Sequence, residues 1–329
     1  MDETMEWLLQ GPPWVEYRAR KALLGQPEDA PQVQRARRAT LEHPQVQGLL
    51  AELSGWPGAI LKSHKSAGHL LHKLVFVADV GLTTEDDAPA DIIRRIYEHR
   101  SEEGIFQVSV NISPRYGGTG EDQYAWMLCD APSILYALTK FGLGESEEVQ
   151  KATAHLTTLV RENGWPCAVT PALGKFRGPG RKSDPCPYAN LLMLKLLAQF
   201  PEYHTHPAVE TGVETLLSLW EQRRERRPYL FAMGSGFEKL KAPLIWYDIL
   251  HVTDVLTQIP WVRNDGRLRE MVEIIAAKMD KNGRFTAESV WRDWKEWDFG
   301  QKREPSRWIT LIAIQILGRI SVSRGENGL

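Results

Sequence analysis

Asp184 and Cys186 stand two residues apart where a basic Gly/Pro turn runs into an apolar stretch, FRGPGRKSDPCPYANLLMLKLL from Phe176 to Leu197. A carboxylate and a thiolate at that spacing can point at one ion, and a borderline-soft Zn2+ accepts a mixed O/S pair. A third ligand such as His would leave the open fourth position of a catalytic site. Arg177, Arg181 and Lys182 place a positive rim on the same turn, suited to an anionic group. Arginines and a helix N-terminus beside Cys186 also favour its thiolate. The same residues have a purely structural reading, with Asp184 as an N-cap and Cys186 as a small core residue.

A second cluster lies in WYDILHVTDVL, where Tyr247, Asp248 and His251 are spaced to share one face of a predicted helix. Tyr247, Asp248 and Asp130 are candidates for proton transfer, because burial raises a carboxyl towards working pH. His251 alternatively reads as a core histidine bonded to a neighbour. His69 and His72 form an H-x-x-H pair that either binds a metal on one helix face or splits into one buried and one exposed ring. Cys129 is open between a further ligand and a packed thiol, and Cys167, after Trp165-Pro166, reads as structural. Trp246 and Trp308 are candidate walls of an aromatic-lined cavity. Trp291, Trp294 and Trp297, followed by Lys302, Arg303 and Arg307, either stack on a base or prenyl chain or plug one end of the fold. Arg223, Arg224, Arg226 and Arg227 read as a solvated helix end. The chain has no D-x-D-D, no phosphate-cradling Gly loop, no G-x-S-x-G and no H-E-x-x-H.

The Phe176–Leu197 turn resembles the zinc-binding segment of protein prenyltransferase β subunits, G-R-P-x-K-x-x-D-x-C-Y followed by an apolar helix. Arg177, Arg181, Asp184, Cys186 and Tyr188 fall in the same order, with one extra residue before Asp184 and Pro187 inserted before Tyr188. Gly120-Glu121-Asp122 followed by Cys129 in YAWMLCDAPSILYAL is similar to the G-E-x-D-T-R-F-S-F-C-A segment of the same subunits, one residue longer. The resemblance implies a Zn2+ held by Asp184, Cys186 and a downstream His. His251 takes that place 65 residues after Cys186, without the H-T-x-x-G context of the family. It also implies a diphosphate on Arg177, Arg181 and Lys182, with Tyr188, Trp246 and Trp308 against an apolar chain. Nothing implies an α-subunit partner.

These residues need a scaffold, and composition bounds it. At 329 residues, 43% hydrophobic and 25% charged, the chain can bury a sizeable core in one large domain or two small ones. A formal charge of -2 supplies no field for nucleic acid or an anionic membrane. Three cysteines, an odd number in a chain too large to need staples, read as reduced thiols. The start, MDETMEWLLQGPPW, has no apolar signal core, and no run approaches a membrane span, so a soluble cytoplasmic protein is expected.

Apolar residues recur at helical spacing throughout, and no strand alternation of convincing length appears. Helices are expected over Met1–Gln10, Pro13–Leu24, Gln32–Leu53, Ser63–Leu82, Pro89–Arg100, Tyr124–Phe141, Ser146–Glu162, Pro187–Phe200, Pro207–Arg223, Leu244–Ile259, Arg267–Met279 and Ser306–Ile320. Charged helices alternate with apolar ones, separated by Gly-aromatic stops. Gly55 to Gly104 is 49 residues, Gly104 to Gly164 is 60, and Gly164 to Gly283 is 119, the mark of a helical repeat. Alternation implies an outer ring facing water and an inner ring buried all round. The expectation is an all-α fold, a single (α/α)6 toroid over residues 1–329, similar to terpenoid cyclases and prenyltransferase β subunits. An open solenoid is the alternative, and the lack of polar terminal repeats favours closure.

The expected function is that of a zinc-dependent enzyme taking a largely apolar, anion-bearing small molecule in a central cavity. The alternatives are a metal-free terpene- or squalene-cyclase-like enzyme and a non-catalytic helical-repeat binding protein.

Overall fold

Proline, with no N–H to lose and φ already set, opens five of the thirteen α-helices found among the described residues. The computed structural model describes residues 3–167, 169–176, 178, 180–225 and 233–326. In chain order the helices are α1 (Glu3–Leu9), α2 (Pro13–Ala22), α3 (Pro31–Glu42), α4 (Pro44–Leu53), α5 (Leu70–Asp79), α6 (Asp87–Tyr97), α7 (Ala131–Leu138), α8 (Glu147–Thr158), α9 (Pro187–Leu197), α10 (Pro207–Glu221), α11 (Ile249–Gln258), α12 (Gly266–Ala276) and α13 (Arg307–Glu326). The chain is all-α, with one small hairpin of β1 (Val108–Val110) and β2 (Gln123–Ala125) paired antiparallel, Ser109 opposite Tyr124. No helix among the described residues is long and apolar enough to cross a membrane.

Several expected helices are shorter than their apolar patterns. The stretch Gln32–Leu53 breaks into α3 and α4, because Pro44 disfavours the helical region for His43, which is extended at φ -69 and ψ 130. The helix expected from Ser63 begins only at Leu70, where His69 Nδ1 caps it by accepting from Leu71 N. The start of the helix expected from Tyr124 is strand β2, and three-residue strands are too short for alternation to register in sequence. The helix expected from Leu244 starts at Ile249.

The alternation of helix types holds. Every position of α7 and of α9 is buried, whereas α12 buries Leu268, Met271, Val272 and Ile275 on one face. Two compact units result, Leu50–Met233 on one hand and Met1–Leu49 with Gly234–Leu329 on the other. In the Leu50–Met233 unit, α5, α7 and α9 lie side by side, with α8 against α7 and α9 and with α10 against α9. In the other unit α11, α13 and α2 are neighbours in that order, α12 packs on α11 and α13, and α3 packs on α2. The first helix closes against the last there: Thr4 donates to Asn282 O at 2.6 Å and Arg307 Nε to Trp7 O at 3.0 Å. The Trp7 ring also faces the guanidinium groups of Arg284 and Arg307, at 4.6 and 4.5 Å.

The Gly-aromatic stops do the same job in each unit. Gly164 turns the chain at φ +103, and a Cβ there would meet Asn190 Oδ1 and Thr215 Oγ1 at 2.5 Å, so only glycine fits. Trp165 follows, fully buried, and its backbone N donates to Asn190 Oδ1 while its O accepts from Cys186 N at 2.8 Å. In the second unit Phe285 stands for Trp165: its N donates to Thr310 Oγ1 at 2.9 Å and its O accepts from Ser306 N at 2.8 Å. Asn190 and Thr310 are each the fourth residue of their inner helix, and Cys186 and Ser306 each the residue before it. This clasp fixes where α9 and α13 begin.

Asn190 also donates to Trp165 O and Cys186 O, at 3.0 and 2.8 Å, from a fully buried position. Asn190→Ala leaves the Trp165 N–H buried without an acceptor, so a loss of about 3 kcal/mol is expected in urea unfolding. Unchanged stability would show that the clasp does not hold the repeat.

Candidate metal centre

Three cysteines meet at the inner-helix starts of the Leu50–Met233 unit. Cys129 precedes Asp130, the residue before α7; Cys167 follows the Trp165-Pro166 stop; Cys186 caps α9, its Sγ accepting from Ala189 N at 3.5 Å. Backbone bonds tie the three segments together, Leu128 N to Cys167 O at 3.1 Å and Cys186 N to Trp165 O at 2.8 Å. Cys129 Sγ lies 3.3 Å from Cys167 Sγ and 3.7 Å from Cys186 Sγ, and all three sulfurs lie within 4.8 Å of one another. The thiols are free and buried.

Their ionisation is unequal. Hydrogen bonding with Cys167 and then Cys186, together with burial, pushes the Cys129 thiol well up. A hydrogen bond with Cys129 pulls Cys167 down, but Cys186, burial and the Asp130 charge outweigh it and Cys167 also rises. Burial opposes the Cys186 thiolate, yet hydrogen bonds from Cys129, Cys167 and the Ala189 and Tyr188 N–H groups bring it well below the ordinary thiol range. Of the three, Cys186 is the one whose thiolate is favoured, and a cation binding the cluster would displace protons from it.

The donor set fits a thiophilic metal ion. A Zn–S bond of about 2.3 Å in a tetrahedron gives sulfur–sulfur edges of about 3.8 Å, close to the 3.3 and 3.7 Å contacts present. Three sulfurs fill three corners. Beside them Asp130, fully buried, accepts from Met127 N at 2.8 Å through Oδ1 and pairs through Oδ2 with His64 Nε2 at 3.2 Å. The His64 ring is 6.1 Å from that of Tyr188, in the first turn of α9.

Of Asp184, Cys186 and His251, the sequence-expected ligands, Cys186 belongs to this cluster. Asp184 is half-buried and accepts from Arg181 N at 3.2 Å, closing the basic turn. Arg181 and Lys182 are exposed, and Arg177 lies outside the described residues, as do Arg226 and Arg227. His69 donates through Nε2 to Ala59 O at 2.8 Å while it caps α5, and His72 donates to His64 O at 2.9 Å. Burial pushes His72 down to about 3, so it is neutral. That pair is occupied by backbone partners.

The remaining candidates lie in the other unit. Tyr247 and Asp248 precede α11 rather than share its face with His251: Asp248 is the N-cap, Oδ1 accepting from His251 N at 3.0 Å. Its Oδ2 is buried with no hydrogen-bond partner among the described residues. Burial pushes the carboxyl up to about 7, against the opposing pull of His251 N and Lys241. His251, fully buried, donates from Nδ1 to Trp246 O at 2.9 Å, and Tyr247 packs on Phe237 with ring centroids 5.5 Å apart. Trp308 is buried, its N donating to Asp298 Oδ2 at 3.1 Å. Trp294 and Trp297 pack with Phe299 and Trp14 as core, and Trp291 lies under Lys241.

Sequence reasoning read Cys167 as structural and did not single it out as a site residue. The available signal was positional: all three cysteines of the chain fall at an inner-helix start or at the stop that clasps one.

A carboxyl raised in the folded state contributes stability that is present below its unfolded value of 3.8 and is lost as pH rises through about 7. Asp248→Asn keeps a capping oxygen and removes this loss. The variant's melting temperature should therefore be flatter across that window, and above it the variant should gain up to about 4 kcal/mol relative to the parent. A parallel pH profile for the two proteins would show that Asp248 ionises normally.

No family model and no curated protein matches the chain. Two solved structures are similar at low level. A protein from Actinoplanes is 13% identical with a TM-score of 0.39, covering 95% of this chain and 90% of that one. The type II terpene cyclase MstE from Scytonema is 12% identical with a TM-score of 0.43, covering 95% of this chain and 88% of that one.

Proposed function

We propose that the chain is a zinc-dependent enzyme whose ion is held by Cys129, Cys167 and Cys186. The observation that carries this reading is the convergence of three buried thiols, from separate segments, within 4.8 Å of one another. Three ligands leave one position for a substrate group, the pattern of catalytic rather than structural zinc sites. The ion would supply Lewis acidity and stabilise a bound water or thiol as its anion. Asp130, with His64 on its second oxygen, holds a carboxylate beside that position for orienting a ligand or moving a proton. An apolar small molecule is the proposed substrate, its anionic group on Arg181 and Lys182 and its apolar part against Tyr188. The chain is proposed to act in the cytoplasm, where three free thiols stay reduced.

A second reading rests on Asp248. Its carboxyl, raised to about 7 with an oxygen left over from capping, suits a metal-free acid working on an apolar substrate.

Elemental analysis of protein purified without chelator separates the two. One zinc per chain is expected, with most of it lost in Cys129→Ala, Cys167→Ala and Cys186→Ala. Asp184→Ala and His251→Ala test the ligand roles assigned from sequence, since loss in either adds that residue to the set. Parent protein that carries no zinc and cannot be loaded rejects the metal reading and leaves Asp248.

A further inference from the structure

The three-sulfur site has a property that does not depend on any metal. Cys129 Sγ touches both other sulfurs, at 3.3 Å to Cys167 and 3.7 Å to Cys186, so it is the hub of the cluster. No other cysteine exists in the chain to compete. The three cysteines are buried, at 3, 6 and 3% exposure, so only a small oxidant such as hydrogen peroxide is the appropriate probe.

We infer that the site carries a second, two-electron redox activity in which a small hydroperoxide converts Cys129 and one neighbour into a disulfide, always through Cys129 and preferentially to Cys167. In the first step the sulfur of Cys129 or of its neighbour gives up its proton and attacks a peroxide oxygen. An S–O bond forms, the O–O bond breaks, and the departing hydroxide takes up the thiol's proton as water. In the second step the neighbouring sulfur attacks the sulfenic sulfur. An S–S bond forms, the S–O bond breaks, and a second water leaves with the second thiol proton. The balance is two thiols and one hydrogen peroxide giving one disulfide and two waters. A dithiol reductant reverses it by exchange. Cys186 is left out of the link, its Sγ held by Ala189 N. Because the same sulfurs would bind an ion, the oxidised site holds none, and oxidation and metal occupancy exclude each other.

The test uses the full chain, reduced and stripped of metal, treated with hydrogen peroxide, denatured, alkylated and mapped by peptide mass spectrometry. Titratable thiols should fall from three to one, with the Cys129 and Cys167 peptides linked and Cys186 alkylated. Cys186→Ser should still form the Cys129–Cys167 link, Cys167→Ser should shift it to Cys186, and Cys129→Ser should form none. A Cys167–Cys186 link in the parent, sulfinic acid without a disulfide, or three intact thiols would each overturn the inference. The parent result alone decides if a variant does not fold. Working on metal-free protein keeps this outcome separate from the zinc reading, which fails or holds on metal content.

Discussion

Three buried sulfur atoms within 4.8 Å of one another cannot all ionise, and that electrostatic constraint organises the rest of the site. Burial opposes ionisation of Cys186, but two neighbouring thiols and the N–H groups at the start of α9 favour its thiolate. Cys129 is pushed up by hydrogen bonding with Cys167 and Cys186 and by burial, and Cys167, though pulled down by Cys129, is raised by Cys186 and burial. Such a cluster is poised for a partner that neutralises it, by supplying positive charge or by removing electrons. Both answers use the same atoms.

The scaffold explains why polar chemistry collects where it does. An inner helix buried on every side still has orphan N–H groups in its first turn, and water cannot reach them. Side-chain acceptors must be placed there: Cys186 before α9, Asp248 before α11, and Asp298 with Ser306 before α13. Capping uses one acceptor and leaves the rest of the group in a dry place. Asp248 and Asp298 consequently both carry raised carboxyls, and each retains an oxygen without a hydrogen-bond partner among the described residues. Helix capping and candidate chemistry are here the same requirement, met at α9 and α13 beside the stop–helix clasp.

Helix type was legible in sequence because burial on one face or on all faces leaves an apolar pattern that composition cannot hide, as in α9 and α12. The periodic stops were legible because Gly104, Gly164 and Gly283 adopt left-handed φ, which glycine alone does without strain. Helix starts were not: the apolar run continues through Tyr124–Asp130 and Leu244–Asp248, where the chain is extended or looped before the cap. The ligand group was half legible. Cys186 stood out from its Asp-x-Cys neighbourhood, but Cys129 and Cys167 are brought to it by backbone bonds between segments far apart in the chain, and no local spacing encodes those. Asp184, two residues from Cys186, turns out to be engaged with Arg181 N, because a cap position points one side chain inward and the preceding turn points the other towards solvent.

The most direct measurement is X-ray absorption at the zinc edge of the metal-loaded protein, which counts the atoms bound to the ion. Three sulfur scatterers at about 2.3 Å with one lighter atom are predicted. A first shell of nitrogen and oxygen with a single sulfur, as Asp184, Cys186 and His251 together would give, would contradict the account.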